Sequence, residues 1–564
     1  MKFNQMPYER IDIDSFRQGF LRLLDDLKTA SSFAAQSTAV EAINKLRRQM
    51  ESSREIAMIR HTIDTTNDFY KDEQDYLDET QPLYQGMVTE YYQVLLESPF
   101  RAELEQQWGP QLFRTAKNML RTFAPEVVSE LQLENKLSSE YTKLVASAKI
   151  LFEGEEKTLP QLVPFMQSSD REVRKRAADA YYGFYADNGE ELDRIYDELV
   201  KTRTSIAKQL GFDNFVGLAY ARLNRTDYDA AMVQQFREQV KCHIVPIAKR
   251  LRERQTARIG VEQLQYYDRP FQFPSGNPEP HGSPEWIVDN GKRMYQELSP
   301  ETDEFFAYMV ENELMDLVSK PGKAGGGYCT YIGEYEAPFI FSNFNGTEGD
   351  IGVLTHEAGH AFQAYSSRNI PVPEYMIPTF DAAEIHSMSM EFFTWPWMQL
   401  FFEEETDKYK FMHLSDAVNF IPYGVSVDEF QHVVYENPEW TPAERKAAWR
   451  GIERKYLGIN DHGGNDFLEQ GGYWQHQLHI YTSPFYYIDY TLAQLCALQF
   501  WAKAQANHID AWKDYVSLCR AGGSQSFVEL VAFANLRSPF EEGAIAAILE
   551  PVEKWLANVD DRQF

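Results

Sequence analysis

Apolar and polar positions alternate at helical spacing along most of this chain. Thr38-Ala39-Val40-Glu41 reads as a capping box opening a helix that runs through Arg60. Ser169-Asp170-Arg171-Glu172 opens a second toward Tyr185, and Ser283-Pro284-Glu285 puts a cap residue before proline at the first helical position. Thr347-Glu348-Gly349-Asp350 starts another, on which Leu354, Ala358, Ala361, Phe362 and Tyr365 form an apolar stripe unbroken before Ser366. The stretch from Asp381 to Phe402, with Met388, Phe392 and Trp395, predicts a helix packed on that one. Strand signals concentrate in Tyr328 to Phe344, aromatic and bounded by Gly325-Gly326-Gly327 and Asn345-Gly346, which predicts a small sheet just ahead of the Thr347 helix. Two breaks interrupt the helices. Asp268 to Trp286 holds five prolines, and Leu457 to Tyr473 holds Gly463-Gly464 and Gly471-Gly472, a pattern that predicts a hinge. The fold class expected is mainly α, with a small sheet beside one central helix.

Composition narrows the function classes. The chain has 564 residues, 43% of them hydrophobic, enough for a large core or more than one lobe. A net charge of −30 argues against nucleic acid and anionic membranes as partners. No apolar run approaches a membrane span, and Met1 to Asp14 does not read as a secretory signal. Cys242, Cys329, Cys496 and Cys519 lie far apart, so reduced thiols in a cytoplasmic protein are the simplest reading.

The chemistry enters with His356-Glu357-Ala358-Gly359-His360. On a helix this puts two imidazoles one turn apart on one face, able to grip one Zn²⁺, and leaves Glu357 free as general base toward a metal-activated water. A catalytic zinc wants a third protein ligand and one open position. Asp381, Glu384, His386 and Glu391 are within range, and Glu384, 24 residues past His360, has the spacing of a ligand delivered by a returning helix. Glu391, two turns beyond Glu384 on the same face, is the competing ligand; it or Asp381 could instead accept the outer N–H of a ligating histidine. His386 reads as structural, because a fourth protein ligand would close the open position. Phe341, Ser342 and Asn343, just ahead of this helix, are candidates for an edge strand that pairs with extended substrate; a plain structural hairpin is the equal alternative.

The H-E-x-G-H motif, followed by Glu384-x-x-Ser387-x-x-x-Glu391, resembles the thimet oligopeptidase and oligopeptidase F family of zinc metallopeptidases. Residues 479–490, His-Ile-Tyr-Thr-Ser-Pro-Phe-Tyr-Tyr-Ile-Asp-Tyr, are similar to the segment that faces the zinc in that family, and the likeness extends over roughly residues 165 to 550. Among bacterial branches the chain is similar to the Pz-peptidase type, which cleaves collagen fragments. The resemblance implies one Zn²⁺ per chain on His356, His360 and Glu384, with oxyanion donors drawn from His479, Tyr490, Tyr481, Tyr486 and Tyr487. It further implies two helical lobes, 1–190 and 191–564, flanking a deep channel that admits only short oligopeptides. The function expected is a zinc-dependent endo-oligopeptidase. The alternative is an exopeptidase-type gluzincin, an aminopeptidase or peptidyl-dipeptidase, although the only approach to a G-x-M-E-N segment is Ser389-Met390-Glu391-Phe392.

Overall fold

A computed structural model describes Met1 to Phe564. Helices dominate, as their spacing predicts. Near the N-terminus, α1 (Ile13–Thr29), α2 (Phe33–Ile63) and α3 (Asp68–Glu97) pack around a core of 20 buried residues, which Val372 and Tyr375 complete from far along the chain. The main core holds 106 buried residues from Phe3 to Leu556, and a small third core of 8 sits around Phe152, Tyr182 and Leu468.

Some starts differ from the sequence reading. α2 begins at Phe33, where Ser32 caps Ala35 N–H; Thr38 lies inside the helix, its hydroxyl donating to the Ala34 carbonyl. A threonine in a helix bonds back to the preceding turn as readily as it caps, so Thr-x-x-Glu alone does not fix a boundary. Asp170 rather than Ser169 caps the helix Arg171–Asp187, while Ser283 caps Pro284–Leu298 as predicted.

The sheet ahead of the H-E-x-x-H segment has three strands: β1 (Met315–Val318), β2 (Tyr328–Ile332) and β3 (Ala337–Phe344). β3 lies in the middle, parallel to β1 and antiparallel to β2. β3 is therefore the central strand through Phe341, where neighbours use both sides; past Phe341 the β2 partner has ended, and Ser342 and Asn343 have a strand on the β1 side alone. The all-buried run of Phe339, Ile340 and Phe341 is the mark of a central strand. A separate two-stranded hairpin pairs Ile150–Phe152 with Glu155–Lys157.

After the sheet come α4 (Gly349–Ser367), carrying H-E-x-x-H, and α5 (Phe380–Phe393). α5 stops short of Phe402, as a 3₁₀ turn (Trp395–Trp397) and one short helical turn (Gln399–Phe402) follow it. α6 (Thr406–Glu436) and α7 (Tyr487–Ala521) complete the surround. The linker between α4 and α5 leans on the N-terminal helices: Glu374 Oε1 accepts from Arg47 Nη1 at 2.7 Å and from the Tyr92 hydroxyl at 2.8 Å.

Between Leu457 and Tyr473, packing requires glycine at the second pair. At Gly471 the backbone has φ +92°, and a Cβ there would lie 2.2 Å from the Lys446 carbonyl oxygen; at Gly472 it would meet the Phe467 ring at 2.3 Å. Gly471→Ala is therefore expected to destabilise the protein by about 2 kcal/mol or more, read as a lowered urea midpoint at unchanged slope.

Candidate active site

α4 and α5 cross in near backbone contact, and Gly359 is the reason they can. A Cβ at that position would stand 2.6 Å from Ser387 Cα and 2.7 Å from the His386 carbonyl oxygen. With only hydrogen there, α5 carries Glu384 against both imidazoles. Glu384 Oε2 lies 3.1 Å from His356 Nε2 and 3.2 Å from His360 Nε2, and one ligand atom from each residue falls within 4.8 Å of the others. Ser387 Oγ donates to the same Oε2 at 2.7 Å, and the Tyr486 hydroxyl donates to Oε1. Burial works against the Glu384 charge, but the two imidazoles outweigh it and hold the carboxyl well below the ordinary range.

Glu391 is hydrogen-bonded to the outer face of His356, with Oε1 2.7 Å from Nδ1. It does not approach the Nε2 cluster. Its other oxygen, Oε2, lies 2.7 Å from His413 Nε2, and the Trp395 indole N–H donates to His413 Nδ1 at 2.8 Å. Asp381 contacts neither motif histidine. It accepts from the Tyr228 hydroxyl (2.6 Å), Thr379 Oγ1 (2.5 Å) and its neighbour's amide at Ala382 (2.7 Å), and so fixes the first turn of α5. One turn before Glu384, its side chain leaves the helix on the Tyr228 side. His386 is fully buried beside Tyr515, whose hydroxyl donates to the His386 carbonyl at 2.9 Å.

Glu357 lines the same cleft with one carboxylate oxygen, Oε2, lacking a protein partner. Burial pushes its carboxyl above the usual range, against the pull of His356 and His360. Space beside it is kept by Gly327, where a Cβ would stand 3.2 Å from Glu357 Oε1. The Asn343 side chain donates to the Ala324 and Gly326 carbonyls at 2.9 and 2.8 Å and pins this glycine loop.

The His-Tyr segment closes the opposite wall. His479, Tyr486 and Tyr490 line the cleft, and Tyr490 Oη is 3.2 Å from His479 Nε2. Gln477 Nε2 donates to His479 Nδ1 at 2.8 Å, and the Tyr423 hydroxyl donates to Gln477 Oε1 at 2.8 Å. The hydrogen of His479 thus sits on Nε2, and burial lowers its pKa to about 4. Tyr481 is turned away: it is buried, stacked on Tyr141 with ring centroids 3.9 Å apart. Tyr487 packs on the His479 ring at 5.1 Å without lining the cleft. Helical geometry explains the split, since Tyr486 and Tyr490 are one turn apart on one face and Tyr487 is a step around. Phe485, at φ +67°, makes the turn that aims them; Gln431 Oε1 accepts from its amide at 2.8 Å and its carbonyl accepts from Arg225 Nη2 at 2.7 Å.

The cleft, about 380 Å³, shares Phe380, Thr482 and Ser483 with a cavity of about 670 Å³ on one side. On the other it shares Gly325, Gly327, Leu478 and His479 with one of about 550 Å³. The first is walled by α2 and α3 on one hand and by the helix Val128–Ala146 and Phe215 to Leu223 on the other, so it lies between the N-terminal helices and the body. No helix is long and apolar enough to cross a membrane.

Because Gly359 sets the helix separation, Gly359→Ala is expected to weaken divalent-metal binding by about tenfold or more, measured by chelator competition on folded protein.

Known proteins resemble this chain in sequence and fold. Pz peptidase A, solved with an inhibitor, superposes with a TM-score of 0.99 at 61% identity, covering 100% of each chain. An oligoendopeptidase F homologue of Borreliella burgdorferi is 23% identical over 419 residues, 70% of this chain and 68% of its own. Oligopeptidase PepF of Bacillus subtilis is 22% identical over 430 residues, 72% of this chain and 61% of its own. Residues 3–123 match the Peptidase M3 N-terminal domain, and residues 164–276 and 300–549 match Peptidase family M3. The chain belongs to peptidase family M3 and is a metallopeptidase of the oligoendopeptidase F-like kind.

Proposed function

We propose that this protein is a zinc-dependent endo-oligopeptidase that cleaves internal bonds of short, unstructured peptides. The observation that carries the reading is the convergence of His356 Nε2, His360 Nε2 and Glu384 Oε2, beside a Glu357 oxygen that has no protein partner. Two neutral imidazoles and one carboxylate are the donor set of catalytic zinc sites, and the Nδ1 bond to Glu391 leaves His356 Nε2 as the atom free to ligate. One Zn²⁺ per chain fits these residues. When bound, it supplies a Lewis acid that acidifies water and polarises the scissile carbonyl.

The chain's own groups do the rest. The Glu357 carboxylate takes the proton of the attacking water and later delivers it to the leaving amine. His479 Nε2–H and the Tyr490 hydroxyl donate to the carbonyl oxygen as it gains charge. Tyr486 holds Glu384 in place through Oε1. Tyr481 and Tyr487 have no role at the oxyanion. Substrate backbone runs along β2, the edge strand whose Tyr328, Cys329 and Thr330 line the cleft.

Cavities on both sides of the cleft support endopeptidase action, since peptide can extend either way from the cut bond. On this reading residues 1–190 and 191–564 flank the passage as two lobes that share the main core, and substrates are short peptides rather than folded proteins. The four cysteines are free, in keeping with a cytoplasmic enzyme.

The deciding experiment compares wild type with Glu357→Gln on an internally quenched, end-blocked peptide of about ten residues. Zinc near one per chain in both, with kcat lowered by about 10³-fold or more in the variant, is the expected result. Bound zinc without cleavage of blocked peptide would favour an exopeptidase; no zinc in either would refute the reading. A second prediction concerns His479: with its folded pKa depressed, its Nε2–H tautomer stays neutral as pH falls from 8 to 5. ¹⁵N-histidine NMR should show no titration of that ring in the range. His479→Gln should lower kcat by about 10²-fold and leave the acid limb of the pH profile in place.

A further inference from the structure

The hydrogen bonds beyond Glu391 have a direction that only one group can set. The Trp395 indole N–H donates and cannot accept, so His413 Nδ1, 2.8 Å away, must be the acceptor. The hydrogen of His413 therefore sits on Nε2 and points at Glu391 Oε2, 2.7 Å away. Glu391 then presents Oε1 as acceptor to His356 Nδ1–H at 2.7 Å, which leaves the lone pair of Nε2 directed at the ligand cluster. The His413 ring is held by stacking on Tyr409 (centroids 5.6 Å, 9° between planes) and by Phe392 at 4.8 Å. Trp395 is 4% exposed, so water does not compete for its N–H.

We infer that Trp395 and His413 are positioning residues for metal binding: Glu391 selects Nε2 of His356 as the ligating nitrogen, and Trp395 and His413 hold that carboxylate, and through it the His356 ring, in the orientation the metal needs. This rests on the zinc reading above and extends it to two side chains that touch neither metal nor substrate. Trp501 packs on Trp395 in the same aromatic cluster, with centroids 6.1 Å apart and an indole nitrogen that has no partner. It is a natural control for indole truncation.

The test is zinc affinity of folded protein, by chelator competition, for wild type, Trp395→Phe, His413→Phe and Trp501→Phe. Loss of the N–H in Trp395→Phe should weaken zinc binding by about tenfold, His413→Phe by 10- to 100-fold, and Trp501→Phe by less than about twofold, whatever each does to thermal stability. In a Glu391→Ala background the Trp395→Phe change should cost no further affinity, because its path to His356 is already cut. Wild-type affinity in Trp395→Phe and His413→Phe, equal weakening by Trp501→Phe, or effects that simply add to Glu391→Ala would overturn the inference. A wild type that takes up no zinc would overturn the underlying reading as well.

Discussion

Two helices pressed together at a glycine underlie everything else in this structure. Helix axes normally stand 8–10 Å apart because side chains fill the gap; between α4 and α5 at Gly359 no side chain intervenes. A glycine inside a helix costs about 1 kcal/mol relative to alanine. Here that loss secures a short reach for Glu384, whose oxygen must meet two nitrogens carried on another helix. The carbonyl that the crossing exposes, that of His386, is satisfied by Tyr515 from α7, so the approach leaves no backbone group unpaired on that side.

Close approach sets distance, and directed hydrogen bonds set orientation. Few side chains in the site depend on packing alone. His356 is turned by Glu391, His479 by Gln477, Glu384 by Ser387 and Tyr486. Behind them Arg225 bonds both the Phe485 carbonyl and Asp489, at 2.7 and 2.5 Å, and Tyr228 bridges Asp489 toward Asp381. Each of these bonds is also a fixed point for an element that bears a functional group. Asp381 anchors the start of α5, and Asp489 the start of α7.

What could be read in the sequence follows from the range of the physics involved. His356, Glu357 and His360 are legible because a helical turn fixes their relation within five residues. Glu384 was reachable because the returning helix must have a certain length. Tyr486 and Tyr490 could be told from Tyr487 only once the helix start was known, and Tyr481 only once its stacking on Tyr141 was seen. The central place of β3 depends on β1, a short and partly exposed strand with little pattern of its own. His413, Trp395 and Gln477 left no signature, because a hydrogen-bond partner may come from any element that folding brings near. Thr38 and Thr347 failed as caps for a local reason: Thr38 bonds back along its helix, and Thr347 bonds Asn345 while Asp350 receives the amides of Asn345 and Gly346.

The contact of Glu374 with Arg47 and Tyr92 spans 327 and 282 residues of chain. Contacts so distant in sequence are late to form, since loop closure must precede them. During synthesis the N-terminal helices emerge first and stand as a seat for a linker not yet made. That linker joins the two ligand helices, and the wall bearing His479 and Tyr490 emerges later still. A half-made chain of this peptidase is thus unarmed, and its destructive chemistry arrives only when nearly all of the polypeptide is there to enclose it.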